Sequence, residues 1–347
     1  MEETKYYNGT KLLSMKDING NTPEILMCCS NRTAGKTTYF SRYCMNRFKK
    51  KKEKFMLLYR YKYELDDVEQ KFFKDIKTLF FPDDVMTSKD VAKGLFKVLL
   101  INGEECGYAV ALYTAESIKK YSHMLSDVKR VLFDEFQSET NTYLSKEIQK
   151  FTSIHTSIAR GQGEQIRSVQ YIMLSNSVSI INPYFVALGI SARLSRDTKF
   201  LRGDGFVLEQ HYNSSAAIAQ KGNAFNRAFS GESYIDYASE NTYLNDSIVF
   251  IDKPKSRMTR YICTICFKNK TFGVKEYRND GFLYCDDKPD INCPTKIALT
   301  IDDHSINYVM LKNNDLMISN FRFYFNHGAF RFKDLLCKEA IMTMLSY

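Results

Sequence analysis

The chain has 347 residues and a net charge of +9, long enough for two domains and a substantial core. No apolar run approaches the length of a membrane-spanning helix, and the start, MEETKYYNGT, lacks a charged-then-apolar leader pattern, so an intracellular protein is expected. Nine cysteines, an odd count with Cys28 and Cys29 adjacent, argue for reduced thiols and against a disulfide framework.

Taken in chain order, Glu24–Cys28, EILMC, follows Pro23 and predicts a buried strand. The turn CSNRTAGKTT, Cys29–Thr38, leads into a helix expected over Lys36–Lys52. From Arg32 to Lys62 there are eleven basic residues and one acid, Glu53, a surplus that favours polyanions. The run Lys49–Lys54 within it also reads as a solvated helix end complementing the macrodipole. KFMLLYRYK (Lys54–Lys62) predicts a strand, and KVLLINGEECGYAVALY (Lys97–Tyr113) two strands joined through Asn102-Gly103. VKRVLF (Val128–Phe133) is a strand ending in Asp134-Glu135; Tyr143–Arg160 has helical periodicity; Ser168–Asn176 is a further strand. Alternating strands and helices over the first ~200 residues predict a mainly parallel sheet with flanking helices. Ser214–Phe229 reads as a small Ala-rich helix, the chain from Asn241 is strand-rich, and a last helix is expected over Lys333–Leu345. The expected divisions are 1–203, a linker with a small helical part over 204–240, and 241–347.

The opening turn has the form of a phosphate loop. Such loops aim successive backbone N–H groups and a helix N-terminus at an anion. Lys36 is placed for the β- and γ-phosphates of ATP and Thr37 for Mg²⁺, while Ser30 takes the position usually held by the first glycine. The binding residues expected are Ser30, Asn31, Arg32, Thr33, Ala34, Gly35, Lys36, Thr37 and Thr38. Arg32 has three readings: contact with the γ-phosphate, contact with a neighbouring subunit, or balance for Asp134 and Glu135. VLFDE (Val131–Glu135) supplies a second motif, with Asp134 beside the metal and Glu135 orienting the attacking water. Ser175-Asn176, at the end of the next strand, is the place to sense a γ-phosphate. No Asn-Lys-x-Asp guanine signature follows, which disfavours a GTPase.

Four stretches, SNRTAGKTT, VLFDE, LSNSVSIINPYF and SIARGQGEQIR, together resemble the DNA-packaging (encapsidation) ATPases of small tailed bacteriophages, the compact branch of the terminase large-subunit family. The resemblance implies a P-loop NTPase domain of the ASCE type and a smaller α+β RNase H-like domain. It implies a homo-oligomeric, pentameric ring at the portal of a procapsid in the host cytoplasm, driving double-stranded DNA with ATP and Mg²⁺. A structural packaging RNA is a partner the family admits. Carried over by position, Lys36 and Thr37 hold phosphates and metal, Asp134 binds Mg²⁺, Glu135 is the catalytic carboxylate, Asn176 lies in a coupling segment, and Arg160 matches a finger donated to the neighbouring site. The alternative for Arg160 is a helix C-terminal cation ahead of Gly161. Lys119 and Lys120 both fall where the family has a further functional lysine. A ring helicase is the alternative function within the same chemistry.

A two-metal nuclease needs carboxylates converging from different strands. RYICTICFKN (Arg260–Asn269) carries none; the acids come later, at Glu276, Asp286, Asp287, Asp302 and Asp303. A nuclease-like fold without nuclease activity is therefore expected, contacting nucleic acid or the portal. Cys263-x-x-Cys266 with Cys285 and Cys293 does not have the paired spacing of a structural zinc site. Lys49–Lys52, Arg193, Arg196 and Arg202 are the candidate DNA contacts, made through phosphates and sensitive to salt.

Overall fold

The structure is a computed structural model that describes residues 5–66, 68, 72–140, 142–161, 163–191, 193–194, 198–229, 238–239, 250–252, 254–310 and 315–345. The chain forms two compact units, Met1–Ile180 with Ala192–Leu244 and Ile181–Ser191 with Asn245–Tyr347.

In chain order the elements up to residue 228 are α1 (Thr10–Ser14), β1 (Ile25–Ser30), α2 (Lys36–Lys51), β2 (Lys54–Tyr59), a 3-10 turn (Lys62–Leu65), α3 (Lys74–Phe80), β3 (Met86–Val91), β4 (Phe96–Ile101) and β5 (Glu104–Ala111). They continue with α4 (Ala115–Ile118), β6 (Val128–Phe133), α5 (Glu147–Ile158), β7 (Gln170–Ser175), α6 (Pro183–Ala187, in the second unit), β8 (Phe200–Gly203), β9 (Phe206–His211), α7 (Ser214–Gly222) and α8 (Ala224–Ala228).

The first unit is built on one sheet of order β3-β4-β5-β2-β6-β7-β1-β9-β8. The run from β5 to β9 is parallel throughout, and an antiparallel strand pair closes each edge. Parallel strands covered on both faces are apolar along their whole length. That is why ILMCCS, KFMLLY and QYIMLS are buried almost without a break. α2 packs Phe40, Cys44, Met45 and Phe48 inward and leaves Lys49, Lys50 and Lys51 in its solvated last turn. The β4–β5 connection turns through Asn102 (φ 52°) and Gly103 (φ 82°), two successive left-handed residues as a two-residue hairpin requires. Gly107 in β5 has a different reason: a Cβ there would sit 2.2 Å from the Phe55 carbonyl oxygen of β2.

Two elements differ from expectation. The segment 206–211, placed between domains on texture, is β9 and pairs with β1 from Ile25↔Phe206 to Ser30↔His211. The Ala-rich helix is two helices, α7 and α8, broken at Asn223, whose side chain accepts from Phe225 N.

The second unit has the strands β10 (Arg260–Phe267), β11 (Lys270–Tyr277), β12 (Phe282–Asp286), β13 (Lys296–Ala298), β14 (Val309–Met310) and β15 (Phe330–Phe332), with helices Asp315–Asn326 and Leu335–Leu345. Their order is β14-β13-β10-β11-β12-β15. β10, β11 and β12 form an antiparallel meander, and β13 lies parallel on the far side of β10. Lys268 and Asn269 turn the first hairpin with φ of 52° and 60°. Asp303 fixes that turn, accepting from Lys268 N at 2.9 Å, Asn269 N at 2.7 Å and the Thr300 hydroxyl at 2.6 Å. Of the expected strand SIVFID, only residues 250–252 are described. Among the described residues no helix is long and apolar enough to cross a membrane, and no group of three or more His, Cys, Asp or Glu is placed to hold a metal ion.

Candidate functional site

β1, β7 and β6 are consecutive parallel neighbours, so their carboxyl ends lie along one edge of the sheet. The turn after β1, the Ser175-Asn176 pair ending β7 and the Asp134-Glu135 pair after β6 meet there. They line one cavity of about 910 Å³, the size of a small-molecule site, which spans roughly 300–1,000 Å³.

The loop is shaped by backbone geometry. Thr33 and Gly35 both have left-handed φ, 60° and 90°, with Ala34 between them. Alternation of this kind turns backbone N–H groups to one side and makes an anion-binding concavity. For β-branched Thr33 that conformation is strained. Gly35 is the N-cap of α2; a Cβ there would meet Tyr6 only at 3.4 Å, so the positive φ, not space, demands glycine. The open N-terminus of the sixteen-residue α2 adds its dipole.

Of the loop residues, Arg32, Thr33, Ala34, Gly35, Lys36, Thr37 and Thr38 line the cavity, whereas Ser30 and Asn31 do not. Ser30 is buried, its hydroxyl donating to Asn31 O at 3.0 Å. Asn31 is buried and anchors the loop from behind: its amide donates to the carbonyls of Asn213 and Ser239, and its Oδ1 accepts from Asn213 N. Both side chains therefore support the loop from behind.

Lys36 Nζ donates to Asn176 Oδ1 at 2.8 Å, and Thr37 lines the cavity beside Asp134. Desolvation pushes the Asp134 carboxyl above its ordinary value, while the Lys36 charge and Thr37 hold it down. Glu135 is raised as well, first by desolvation and then by Asp134, Glu139 and Glu64, with Arg32 opposing. Glu135 itself has φ 54°, and its N–H donates to Asp134 Oδ1 at 2.9 Å. The result is a negative pocket floor facing the cationic loop.

Sequence reasoning missed three supports. Arg60, just past β2, is buried, pairs with Glu147 of α5 at 3.1 Å, and donates to Glu135 O at 3.3 Å and Phe136 O at 2.6 Å; it holds the strained turn that carries Glu135. One cue existed, an arginine at the end of an apolar strand. Gln137 is buried and joins Cys29 Sγ to the N–H groups of Val178 and Ser179. The N-terminal segment is clasped to the loop: Tyr7 N donates to Ala34 O at 2.8 Å, and the Tyr7 hydroxyl to buried Glu209 at 2.6 Å. Neighbouring Tyr6 joins Tyr39, Arg42, Leu79 and Phe80 at the cavity wall, an aromatic surface suited to a flat heterocycle.

Arg160 is not brought to this cavity. It is exposed beyond the end of α5, its Nε donating to Thr156 O at 2.8 Å. The other arginine of the same motif, Arg167, is buried and binds the carbonyls of Val128 and Ile158. Lys119 pairs with Glu116 on the surface, and Lys120 is exposed. Lys49 pairs with Asp84 and Lys52 with Glu104; Arg193 donates to Arg202 O at 2.6 Å; Arg196 lies outside the described residues.

Fold and site define a mostly parallel α/β protein with an anion-binding loop opposite paired carboxylates. The model of the podovirus DNA encapsidation protein (Gp16) family matches residues 1–346, and the chain belongs to that family, as its motifs imply. It is 28% identical to the DNA packaging proteins of Bacillus phages PZA and phi29, each over 98% of this chain and 96% of the relative. It is similar over 98% of its length to the whole of a chain from the bacteriophage phi29 viral genome packaging motor assembly, with TM-score 0.66 and 26% identity. A chain of the Phi-28 gp11 DNA packaging motor shares the fold at TM-score 0.61 and 15% identity, 98% of each chain being covered.

Replacing Tyr7 by Phe leaves buried Glu209 without its donor, and an unsatisfied buried acceptor costs about 1–3 kcal/mol. Chemical denaturation of Tyr7→Phe should show a loss of that size; unchanged stability would mean the clasp contributes nothing.

Proposed function

We propose that this DNA encapsidation protein is the ATP-hydrolysing subunit of a homo-oligomeric, pentameric ring that drives double-stranded DNA into a procapsid at its portal vertex in the host cytoplasm. The observation that carries the reading is the meeting of the glycine–lysine–threonine turn with Asp134, Glu135 and Asn176 in one cavity. The family's description as an encapsidation protein supports the DNA-packaging part.

The strand leading to the loop and the strand ending in the acids have one strand, β7, between them, the order expected of an ASCE-type P-loop NTPase. In this reading the loop N–H groups and Lys36 take the phosphates, and the aromatic wall beside Tyr6 takes the base. Glu135 accepts a proton from the attacking water as its oxygen bonds to the terminal phosphorus and the bridging oxygen leaves with ADP. The Thr37 hydroxyl and Asp134 carboxylate are adjacent hard oxygen donors on a crowded acidic floor, which fits Mg²⁺. That ion, when bound, neutralises charge on the phosphates. Asn176 loses or keeps its lysine partner according to what occupies the cavity, and so suits a sensor. Arg160, remote from its own cavity, serves the neighbouring subunit's site, and a finger of this kind is worth about 10³–10⁵ in rate.

The first unit is the motor, with 1–203 as its sequence-based core. We read the C-terminal unit, from about 241, as RNase H-like in strand order and without nuclease chemistry, contacting nucleic acid or portal. β10 carries no acid, Asp286 is engaged by Lys275, and Asp303 holds a turn. A structural RNA is a further candidate contact of the assembled ring.

Packaging of DNA into purified procapsids, scored by protection from nuclease, tests the reading. Glu135→Gln and Arg160→Ala should each bind ATP and package nothing. Mixing Arg160→Ala with Lys36→Ala should restore turnover; normal hydrolysis by Arg160→Ala alone would remove the finger. Plasmid incubated with the wild-type chain and Mn²⁺ should stay supercoiled, and cleavage lost in Asp302→Ala would reverse the assignment of the second unit.

A further inference from the structure

The motif SIARGQGEQIR carries two arginines, and the structure sends them to opposite places. Arg160 is exposed past the end of α5. Arg167 is 6% exposed, and the function proposed above gives it no part. A buried guanidinium is costly unless its donors are used. Arg167 spends them on backbone: one terminal nitrogen donates to Ile158 O at 2.5 Å and the other to Val128 O. Its own N–H donates to Ala159 O at 2.9 Å. Its Nε, also buried, has no hydrogen-bond partner among the described residues. As a helix cap this is wasteful, because a glycine or a solvated lysine can serve terminal carbonyls without burying a charge.

What these bonds hold is specific. Ile158 and Ala159 are the two residues immediately before Arg160, so Arg167 takes both carbonyls that lead into it. Helix ends fray where the last carbonyls lack partners, and here that freedom is removed. Val128, the third acceptor, is the first residue of β6, the strand that ends beside Asp134 and Glu135. The residue after Arg160 is held against the same place: a Cβ on Gly161 would come within 3.0 Å of the Cβ of Ser126, two residues before β6. Arg160 itself lies back along the helix, its Nε donating to Thr156 O at 2.8 Å. One strand thus carries a subunit's own acids at its carboxyl end and secures, at its amino end, the helix terminus from which Arg160 projects. A planar fork can bridge two carbonyls at once, which a lysine ammonium does less well.

We propose that Arg167 is the positioning residue for Arg160: it locks the end of α5 to the start of β6, so that the exposed arginine is presented to the neighbouring subunit's nucleotide site from a fixed place. The inference rests on the reading of Arg160 as a finger that serves the neighbour, and it adds what holds that finger. Arg167 does not line its own cavity and acts through Arg160. A finger is worth about 10³–10⁵ in rate, and a misplacement of about 1 Å at a reacting centre costs about 10²-fold. Removing the fork frees the helix end to shift by that much and leaves the phosphate loop untouched.

Turnover on purified procapsids, with AMP-PNP affinity measured alongside, tests it. Arg167→Gln should bind AMP-PNP as the wild type does and lose about 10²-fold in kcat. Mixed subunits then give the direction of the fault. Lys36→Ala subunits, whose Arg160 and Arg167 are intact, should restore turnover to Arg167→Gln. Arg160→Ala subunits should not, because neither partner then donates a placed finger. The double variant Arg160→Ala/Arg167→Gln should be no slower than Arg160→Ala. Normal turnover by Arg167→Gln, weakened AMP-PNP binding, no rescue by Lys36→Ala, rescue by Arg160→Ala, or a slower double variant would each overturn the proposal. Should Arg167→Gln fail to fold, Arg167→Lys, which keeps the charge without the fork, goes through the same mixtures with the same outcomes deciding. Arg160→Ala alone separates the inference from its premise. Normal hydrolysis there removes the finger and this proposal with it, whereas an inactive Arg160→Ala beside a fully active Arg167→Gln removes the clamp and leaves the finger.

Discussion

The placing of Thr37 and Asp134 on one cavity, close enough for the threonine to hold the carboxyl down, is the constraint on which the remaining chemistry depends. It joins the first turn of α2 to the turn after β6, residues 97 positions apart by their numbers. It exists only because β7 is threaded between β1 and β6 in parallel register, with Met27 and Phe133 both level with Met173. The Lys36–Asn176 hydrogen bond lies between these two and completes a line of polar groups along the carboxyl edge. In open α/β sheets that edge is where ligands bind. Every role assigned to the cavity follows from this alignment.

Electrostatics give the site its direction. Asp134, Glu135, Glu139 and Glu64 crowd one side; desolvation raises the first two, and the neighbouring acids raise Glu135 further. Lys36, Arg32 and the α2 N-terminus face them. An anion alone would suit the loop but not the acids, and a cation alone would suit the acids but not the loop. In the function proposed above, the substrate brings both, as a metal-bound polyphosphate. Arg60 and Glu147 keep the acidic turn in its strained form, which places the cost of the conformation in the scaffold and leaves Glu135 itself open to the cavity.

What was legible in the sequence was what short-range pattern encodes. The buried strands could be read because a parallel strand covered on both faces has no polar alternation to hide it, and the loop because glycine, lysine and threonine act within one turn. VLFDE announced itself as an apolar run ending in acids. The unread parts are pairings at a distance. Glu209 is 202 residues from Tyr7, Glu147 is 87 from Arg60, and Glu139 is 107 from Arg32; nothing local marks any of these partners. β9 is hard to read because FVLEQH carries a polar end, its glutamate accepting a hydrogen bond from a tyrosine near the N-terminus. Asn31 and Ser30 show the converse: the motif marks the loop, and it does not say that their side chains hold the loop to the fold.

The central claim is best tested by the Mg²⁺ dependence of ATP affinity in the wild type and in Asp134→Asn, followed with a fluorescent ATP analogue. The account predicts that Mg²⁺ tightens binding to the wild-type chain and that Asp134→Asn abolishes this dependence while retaining metal-free affinity. An equal response to Mg²⁺ in both chains would contradict the pairing of Thr37 and Asp134 as the metal-holding end of the site.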